Sequence, residues 1–461
     1  MNEIGGVPPS IREALSSKTG FVLVVTGKPG TGKSLFVQEI FRTFENSFMI
    51  ITSTENHMAT VMALSDAVPH WGDRHVLTQY WRPLVEKISH ESSLETQLSR
   101  LVGASEDQGS ADVVIIDSWT DFIEPINPEN RYEIQQALIH AARNEGRKLI
   151  LVTEDQWGSN MTDTLHHSAD GVVTLEKIRE NQRMYRQIVL EKMRAHLIKQ
   201  DSFLFTLHEG RFTYIPWYVH QYPAITVGRD SIPDPSPDRM STGNLSLDAI
   251  LGGGFMKGQI SLIEVDNLGV PYLETIYIPF LSNHLGLGRP AVIVLPEGWS
   301  PEFFTESLAH FVDKKRIDSQ VVFFGRHAPG QYDNVRGLDA DPRKTLQEIR
   351  YESSELERKF NHEVSELFSL DTLENMYGPA EVRGMVAEIS ASLPRAKRTT
   401  LTILSRQQEV KSESISHHVH LRVQEICGVM GVSGETPRTN FLAVRPILSG
   451  GFLDYDLMPI V

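Results

Sequence analysis

The chain has 461 residues, more than one hydrophobic core ordinarily supports, so two domains are expected. A hydrophobic content of 40% with 22% charged residues excludes disorder for the bulk of the chain. The formal net charge of −15, from 59 acidic and 44 basic side chains, argues against a protein whose main task is wrapping DNA or RNA, and nucleic acid is not expected as a partner.

The first ten residues carry Pro8 and Pro9 but no basic-then-apolar signal pattern. Residues 21–25 form an apolar β-type run that leads into Gly27, Lys28, Pro29, Gly30, Thr31, Gly32, Lys33 and Ser34, a full match to G-x-x-x-x-G-K-[ST]. Glycines at this spacing let the backbone curl until successive N–H groups converge on a phosphate. Lys33 then reaches the β and γ phosphates, and the Ser34 hydroxyl ligates Mg²⁺. Residues 35–41 have helical spacing, so Leu35 opens a helix whose N-terminal dipole faces the anion. ATP with Mg²⁺ is the expected cofactor pair.

A second strand at 48–52 precedes Glu55, a carboxylate placed to orient and deprotonate an attacking water, though surface glutamates often follow strands. The run 113–116 ends in Asp117. A carboxylate at the C-terminal end of a buried parallel strand lies where open sheets bind ligands, and Asp117 is expected to hold the Mg²⁺ directly or through water. Strands at 149–153, 172–175 and 186–190 complete the first half, with His166 and His167 between the first two. His70, Trp71, Tyr80, Trp81 and Trp119 read as packing rather than as base-stacking groups.

Residues 222–238 hold Pro223, Pro233, Pro235 and Pro237 without periodicity and read as a linker or strap. The expected organisation is a first domain over 1–222, a Pro-rich linker over 223–238 and a second domain over 239–461. The second half repeats the first faintly, with strands at 260–263, 291–295, 367–370, 400–404, 419–424 and 440–444. Strands alternating with helical stretches indicate two tandem α/β domains, each a mostly parallel sheet flanked by helices. Residues 346–368, rich in Glu, Arg and Lys, read as an exposed helix. The steps His166-His167 and His417-His418 have no acidic or Cys neighbour at ligand spacing and read as structural. The single cysteine, Cys427, cannot close an internal disulfide and fits a reducing compartment. No apolar run approaches the ~20 residues of a membrane helix. A cytoplasmic protein without membrane insertion is expected.

These residues resemble the KaiC-like branch of the RecA superfamily, and the first half is most similar to the P-loop domain of GvpD-type archaeal proteins, named after a gas-vesicle regulator. Besides the phosphate loop and Asp117, the stretch 239–258, with Arg239, Ser241, Thr242, Gly243, Leu247, Asp248, Leu251, Gly252, Gly253, Gly254 and Gly258, resembles the family lead-in R-x-S-T-G-x-x-x-L-D-x-x-L-G-G-G-x-x-x-G. Ala169 to Val173 and Leu190 to Arg194 resemble the family's closing strands. The resemblance implies tandem RecA-like P-loop NTPase domains in a homo-oligomeric, hexamer-like ring with nucleotide between neighbouring subunits. It also implies a K-x-R pair, here Lys192 and Arg194, that reaches the next subunit's γ-phosphate. The plain alternative is two exposed basic residues on a surface strand.

Where the family carries two adjacent glutamates, this chain has Thr54-Glu55, which bears on the rate of hydrolysis more than on binding. After the lead-in, Pro271 and Tyr272 stand where the lysine and the Mg²⁺ hydroxyl belong, so the second half is expected to lack a phosphate site. Glu297 and Asp371 occupy the equivalents of Glu55 and Asp117 without an assigned role. The expectation is one competent ATPase site per chain with slow hydrolysis and a protein partner that the sequence does not identify. The alternatives are a nucleotide-sensing regulator with negligible hydrolysis and, fitting the charge poorly, a DNA recombinase.

Overall fold

A computed structural model describes residues 6–52, 75–77, 111–154, 160–219, 230–326, 333–449 and 452–461. The chain divides into two units, Met1–Pro216 with Ile460–Val461, and Trp217–Pro459.

The first unit holds strands β1 (Phe21–Gly27), β2 (Ser47–Ile51), β3 (His75–Leu77), β4 (Val113–Asp117), β5 (Lys148–Val152), β6 (Gly171–Glu180), β7 (Arg183–Met193), β8 (Ser202–Thr206) and β9 (Thr213–Ile215). Among the described residues they form one sheet in the order β3-β2-β4-β5-β1-β6-β7-β8-β9. From β3 to β6 the pairing is parallel, and from β6 to β9 antiparallel. Parallel strands buried on both faces need near-continuous apolar runs, and β1 is one. Leu23 and Val25 join the core under the helix Lys33–Thr43, with Phe36, Val37, Ile40 and Phe41. Val22 and Val24 join the opposite core under the helix Pro128–Asn144, with Ile134, Leu138 and Ile139. Trp119 belongs to that second core and stacks on Phe122, the packing role expected from sequence. His70, Trp71, Tyr80 and Trp81 lie outside the described residues.

The second unit holds a two-stranded ribbon, β10 (Arg239–Met240) with β11 (Phe255–Met256), and a larger sheet. Its strands are β12 (Ile260–Val265), β13 (Ala291–Val294), β14 (Val321–Gly325), β15 (Val335–Gly337), β16 (Ser365–Ser369), β17 (Thr399–Ser405), β18 (Val419–Ile426), β19 (Val429–Thr436), β20 (Arg438–Ser449) and β21 (Phe452–Pro459). The order is β15-β14-β13-β16-β17-β12-β18-β19-β20-β21, with an antiparallel extension from β18 onward. With β12 in the place of β1, this is, among the described residues, the order of the first unit plus one edge strand. The repeat is therefore one of topology, and the fold is tandem α/β with mostly parallel sheets flanked by helices, consistent with tandem RecA-like domains.

Two sequence expectations change. The stretch 346–368 is not one helix: the helix Pro342–Phe360 stops at Asn361, which takes a left-handed cap conformation (φ 52°), and β16 follows. β16 is the strand expected at 367–370, begun two residues earlier at Ser365, so that it takes in Glu366. That carboxylate is buried against Arg398, Ser353 and Thr400. Between the strands expected at 419–424 and 440–444 lies β19, a strand the sequence reading did not include. Gly431 dilutes its apolar signature, and a Cβ there would stand 2.1 Å from the Phe441 ring.

The lead-in residues prove to be a folded lock. Asp248 is buried and accepts bonds from the Ser241 hydroxyl at 2.5 Å and the Thr242 amide at 2.7 Å. Arg239 donates to the carbonyls of Leu251 and Gly254, and Asn244 caps the helix Leu245–Ile250 through the Leu247 amide. Residues of the Pro-rich stretch are strapped to the same unit: Asp234 pairs with Arg289 at 2.9 Å and with Lys257 at 3.0 Å.

At the C-terminal end of β12, where β1 leads into the phosphate loop, stands a charge cluster. Glu264 accepts from His420 and pairs with Arg422, both at 3.0 Å, while Arg406 pairs with Asp266 at 2.9 Å and lies 3.6 Å from Glu264. Burial alone would raise the Glu264 carboxyl, but His420 and Arg422 outweigh it and hold it down to about 2. No residue from Asp266 to Val270 has a positive φ, so this segment has no phosphate-loop curl.

Two outcomes follow. Asp248→Ala orphans a buried amide and hydroxyl and destabilises the second unit by about 2 kcal/mol, read as a lower urea midpoint. Because the Glu264 carboxyl is depressed in the folded state from 4.5 to about 2, its stabilisation is complete above about 4.5 and is lost as pH falls toward about 2. Glu264→Gln should therefore flatten the acid limb of the stability–pH curve across that window while leaving its shape at neutral pH unchanged.

Candidate nucleotide-binding site

β1 ends at Gly27, paired in parallel register with Leu175 of β6. Gly27 (φ 145°), Gly30 (φ 72°) and Gly32 (φ 108°) all lie in the region that favours glycine. A Cβ on Gly27 would come within 2.4 Å of the Leu175 carbonyl oxygen. The loop curls into the helix Lys33–Thr43, whose first intrahelical bond runs from the Phe36 amide to the Gly32 carbonyl at 3.0 Å. The preceding first-turn amides, on Lys33, Ser34 and Leu35, have no i−4 acceptor by helix geometry and face outward along the axis. Lys28 and Pro29 are exposed at the loop tip. Thr31 Oγ1 ties back to the Lys28 carbonyl at 2.9 Å. The Lys33 ammonium sits in the loop's own mouth, donating to the carbonyls of Gly27 at 2.7 Å and Lys28 at 3.2 Å.

Asp117 ends β4. β5 separates β4 from β1, yet the loop arcs far enough that the Ser34 hydroxyl bonds to the Asp117 carboxylate. Burial pushes the Asp117 carboxyl up, and the Ser34 bond and the Lys33 charge pull the other way. The carboxylate's position is fixed from behind by Thr52, at the end of β2. Its amide donates to the Asp117 carbonyl at 2.8 Å, and its hydroxyl accepts from the Ser118 amide at 2.8 Å. The hydroxyls of Thr26 and Thr153, at the ends of β1 and β5, are buried without a hydrogen-bond partner among the described residues. Such groups belong where a ligand or water completes them.

The donor set fits a magnesium–nucleotide. Three curled glycines and a helix N-terminus suit a phosphate chain. One hydroxyl and one carboxylate suit Mg²⁺, a hard cation that takes few protein ligands and completes its shell with phosphate and water. No group of three or more His, Cys, Asp or Glu side chains is arranged for a metal among the described residues.

Gly27 to Leu35 and Asp117 are thus brought together. Glu55 lies outside the described residues. Lys192 and Arg194 lie elsewhere: Lys192 pairs with Val172, which pairs with Val24, three residues back along β1 from Gly27. The Lys192 ammonium donates to the carbonyls of His166 and His167 at 2.9 and 3.0 Å, closing the C-terminal end of the helix Asn160–Ser168. Arg194 donates to the His167 carbonyl at 3.1 Å and stands 3.8 Å from Asp170. Neither residue serves the loop of its own unit. Sequence reading missed Thr26, Thr52 and Thr153, because a threonine at a strand end has no distinctive spacing. It also missed Lys177 and Arg186 on the β6–β7 hairpin.

Among the described residues no helix is long and apolar enough to cross a membrane. The KaiC ATPase family model matches residues 17–216. Protein GvpD2 of Halobacterium salinarum is 26% identical over 491 aligned residues, spanning 99% of this chain and 97% of that protein. Protein GvpD1 of the same organism is 26% identical over 342 residues, which cover 70% of this chain and 62% of GvpD1. The first unit thus matches the KaiC ATPase family model over residues 17–216, in a chain similar to protein GvpD2 over nearly its whole length.

Proposed function

We propose that this protein binds MgATP at loop 27–34 and hydrolyses it slowly, at one competent site per chain, to drive or gate a regulatory assembly. The observation that carries the reading is the meeting of Lys33, Ser34 and Asp117 at the mouth of a curled glycine loop. The loop amides and Lys33 hold the phosphates. Ser34 and Asp117 would hold Mg²⁺, which when bound would supply positive charge against that developing on the phosphates. Glu55 is assigned to the attacking water by sequence position. The charge cluster of Glu264, Asp266, Arg406, His420 and Arg422 in place of a second loop supports a single site per chain.

Lys192 and Arg194, turned away from their own loop, are assigned to the γ-phosphate of a neighbouring subunit in a homo-oligomeric ring. A nucleotide-sensing regulator with negligible hydrolysis is the second reading. It is favoured by the single glutamate of Thr54-Glu55 and by the regulatory role that GvpD-type resemblance implies.

Lys33→Ala should weaken MgATP binding about a hundredfold and abolish phosphate release, measured by calorimetry and a steady-state assay. Unchanged binding would remove the site. Binding under Lys33 control without turnover in the wild type would select the regulator. For the trans assignment, Arg194→Ala and Lys33→Ala proteins are each expected to be inactive alone. Mixed, they should regain part of the wild-type rate, since one supplies the loop and the other the cation. A monomeric wild type with full turnover would end that assignment.

A further inference from the structure

We propose that Lys177 is an additional phosphate-contacting cation of this site, acting on the nucleotide held by its own unit. Arg186, its cross-strand partner, is the residue that sets the loop's peptide orientation. The proposal rests on the reading of loop 27–34 as a nucleotide site.

The placement follows from strand alternation. Val173 and Leu175 of β6, with Ile188 and Leu190 of β7, point into the core beneath the helix Lys33–Thr43. The next residues on that face toward the loop are Lys177 and Arg186, which stand directly opposite each other. Gly27 pairs with Leu175, so Lys177 is carried just past the end of β1, over the loop. A Cβ built on Gly30 would come within 3.2 Å of the Lys177 ammonium nitrogen. Glycine at 30 therefore leaves room for this cation as well as supplying its positive φ.

The two charges are used differently. Arg186 Nη1 donates to the carbonyls of Gly30 at 3.0 Å and Thr31 at 3.1 Å. Within one peptide the C=O and N–H point opposite ways, so fixing the Thr31 carbonyl on Arg186 turns the Gly32 N–H away from it, toward the other side of the loop. Lys177 is exposed and has no hydrogen bond or ion pair among the described residues. Like charges directly opposite on an antiparallel pair are unfavourable, and this pair stands beside Lys28 and Lys33 in a chain of net charge −15. Lys177, a cation with no carboxylate partner among the described residues, standing over a loop of converging amides, has the chemistry of a polyphosphate contact.

The test uses the full chain and MgATP, with affinity measured by calorimetry at two salt concentrations. Lys177→Ala should bind about tenfold more weakly, with a shallower salt dependence. Its melting temperature without nucleotide should match wild type, because the side chain is exposed. Lys177→Arg should restore most of the affinity. Arg186→Lys should bind as weakly as Arg186→Ala, since a single ammonium cannot hold the Gly30 and Thr31 carbonyls while also keeping the Val461 carbonyl that Arg186 Nε holds at 2.8 Å; rescue by Arg186→Lys would reduce Arg186 to a point charge and overturn its positioning role. If Lys177→Ala binds as wild type while Lys33→Ala does not, the assignment of Lys177 fails and the site stands. If Lys33→Ala also binds as wild type, the site reading fails and takes this proposal with it.

Discussion

The first unit turns on one close approach: Gly27 lies against the Leu175 carbonyl at a distance no side chain permits. That contact is where the buried strand β1 stops being a strand. Because β1 and β6 are in parallel register there, the chain leaves the sheet at a fixed height and must curl at once, which Gly30 and Gly32 allow. The helix that follows then runs back over the face of the sheet, and its inner side packs Phe36, Val37 and Ile40 on Leu23 and Val25. Core packing and phosphate-loop shape are consequently one constraint. A change that loosens the β1–β6 register moves the loop with it.

The second unit shows what that frame does without the loop. Its strands follow the same order around β12, yet the strand end carries Glu264 and its ring of His420, Arg422 and Arg406. Charges that a nucleotide would otherwise balance are here balanced by the protein itself. A buried carboxylate met by three cationic or potentially cationic groups is satisfied internally, and no further anion is needed. The lead-in around Asp248 is retained because it locks the entry to β12, a task independent of nucleotide.

How much of this was legible in the sequence depended on whether a residue's role follows from its neighbours in the chain. The phosphate loop is contiguous, so its eight residues and the helix after them could be read directly. β1, β2, β4 and β5 are dense β-branched and aliphatic runs, and they too were plain. Asp117 was legible because a strand delivers it. β16 was expected from residue 367, and its true start was obscured by Glu366, whose partners Arg398 and Ser353 come from distant segments. β19 was obscured by a glycine that only the Phe441 ring explains. Lys177 and Arg186 were invisible for the same reason: their relation to Gly30 is set by hairpin register, which composition does not encode.

The Lys33 ammonium is not idle in the loop, since it holds the carbonyls of Gly27 and Lys28. Any anion that engages it must first compete with two backbone acceptors already in place. A lone phosphate must make up both bonds from one contact with the ammonium. A chain of phosphates brings several charges and reaches the loop amides at the same time, so it can displace them. The carbonyls thereby set a threshold that any anion must exceed to free the ammonium.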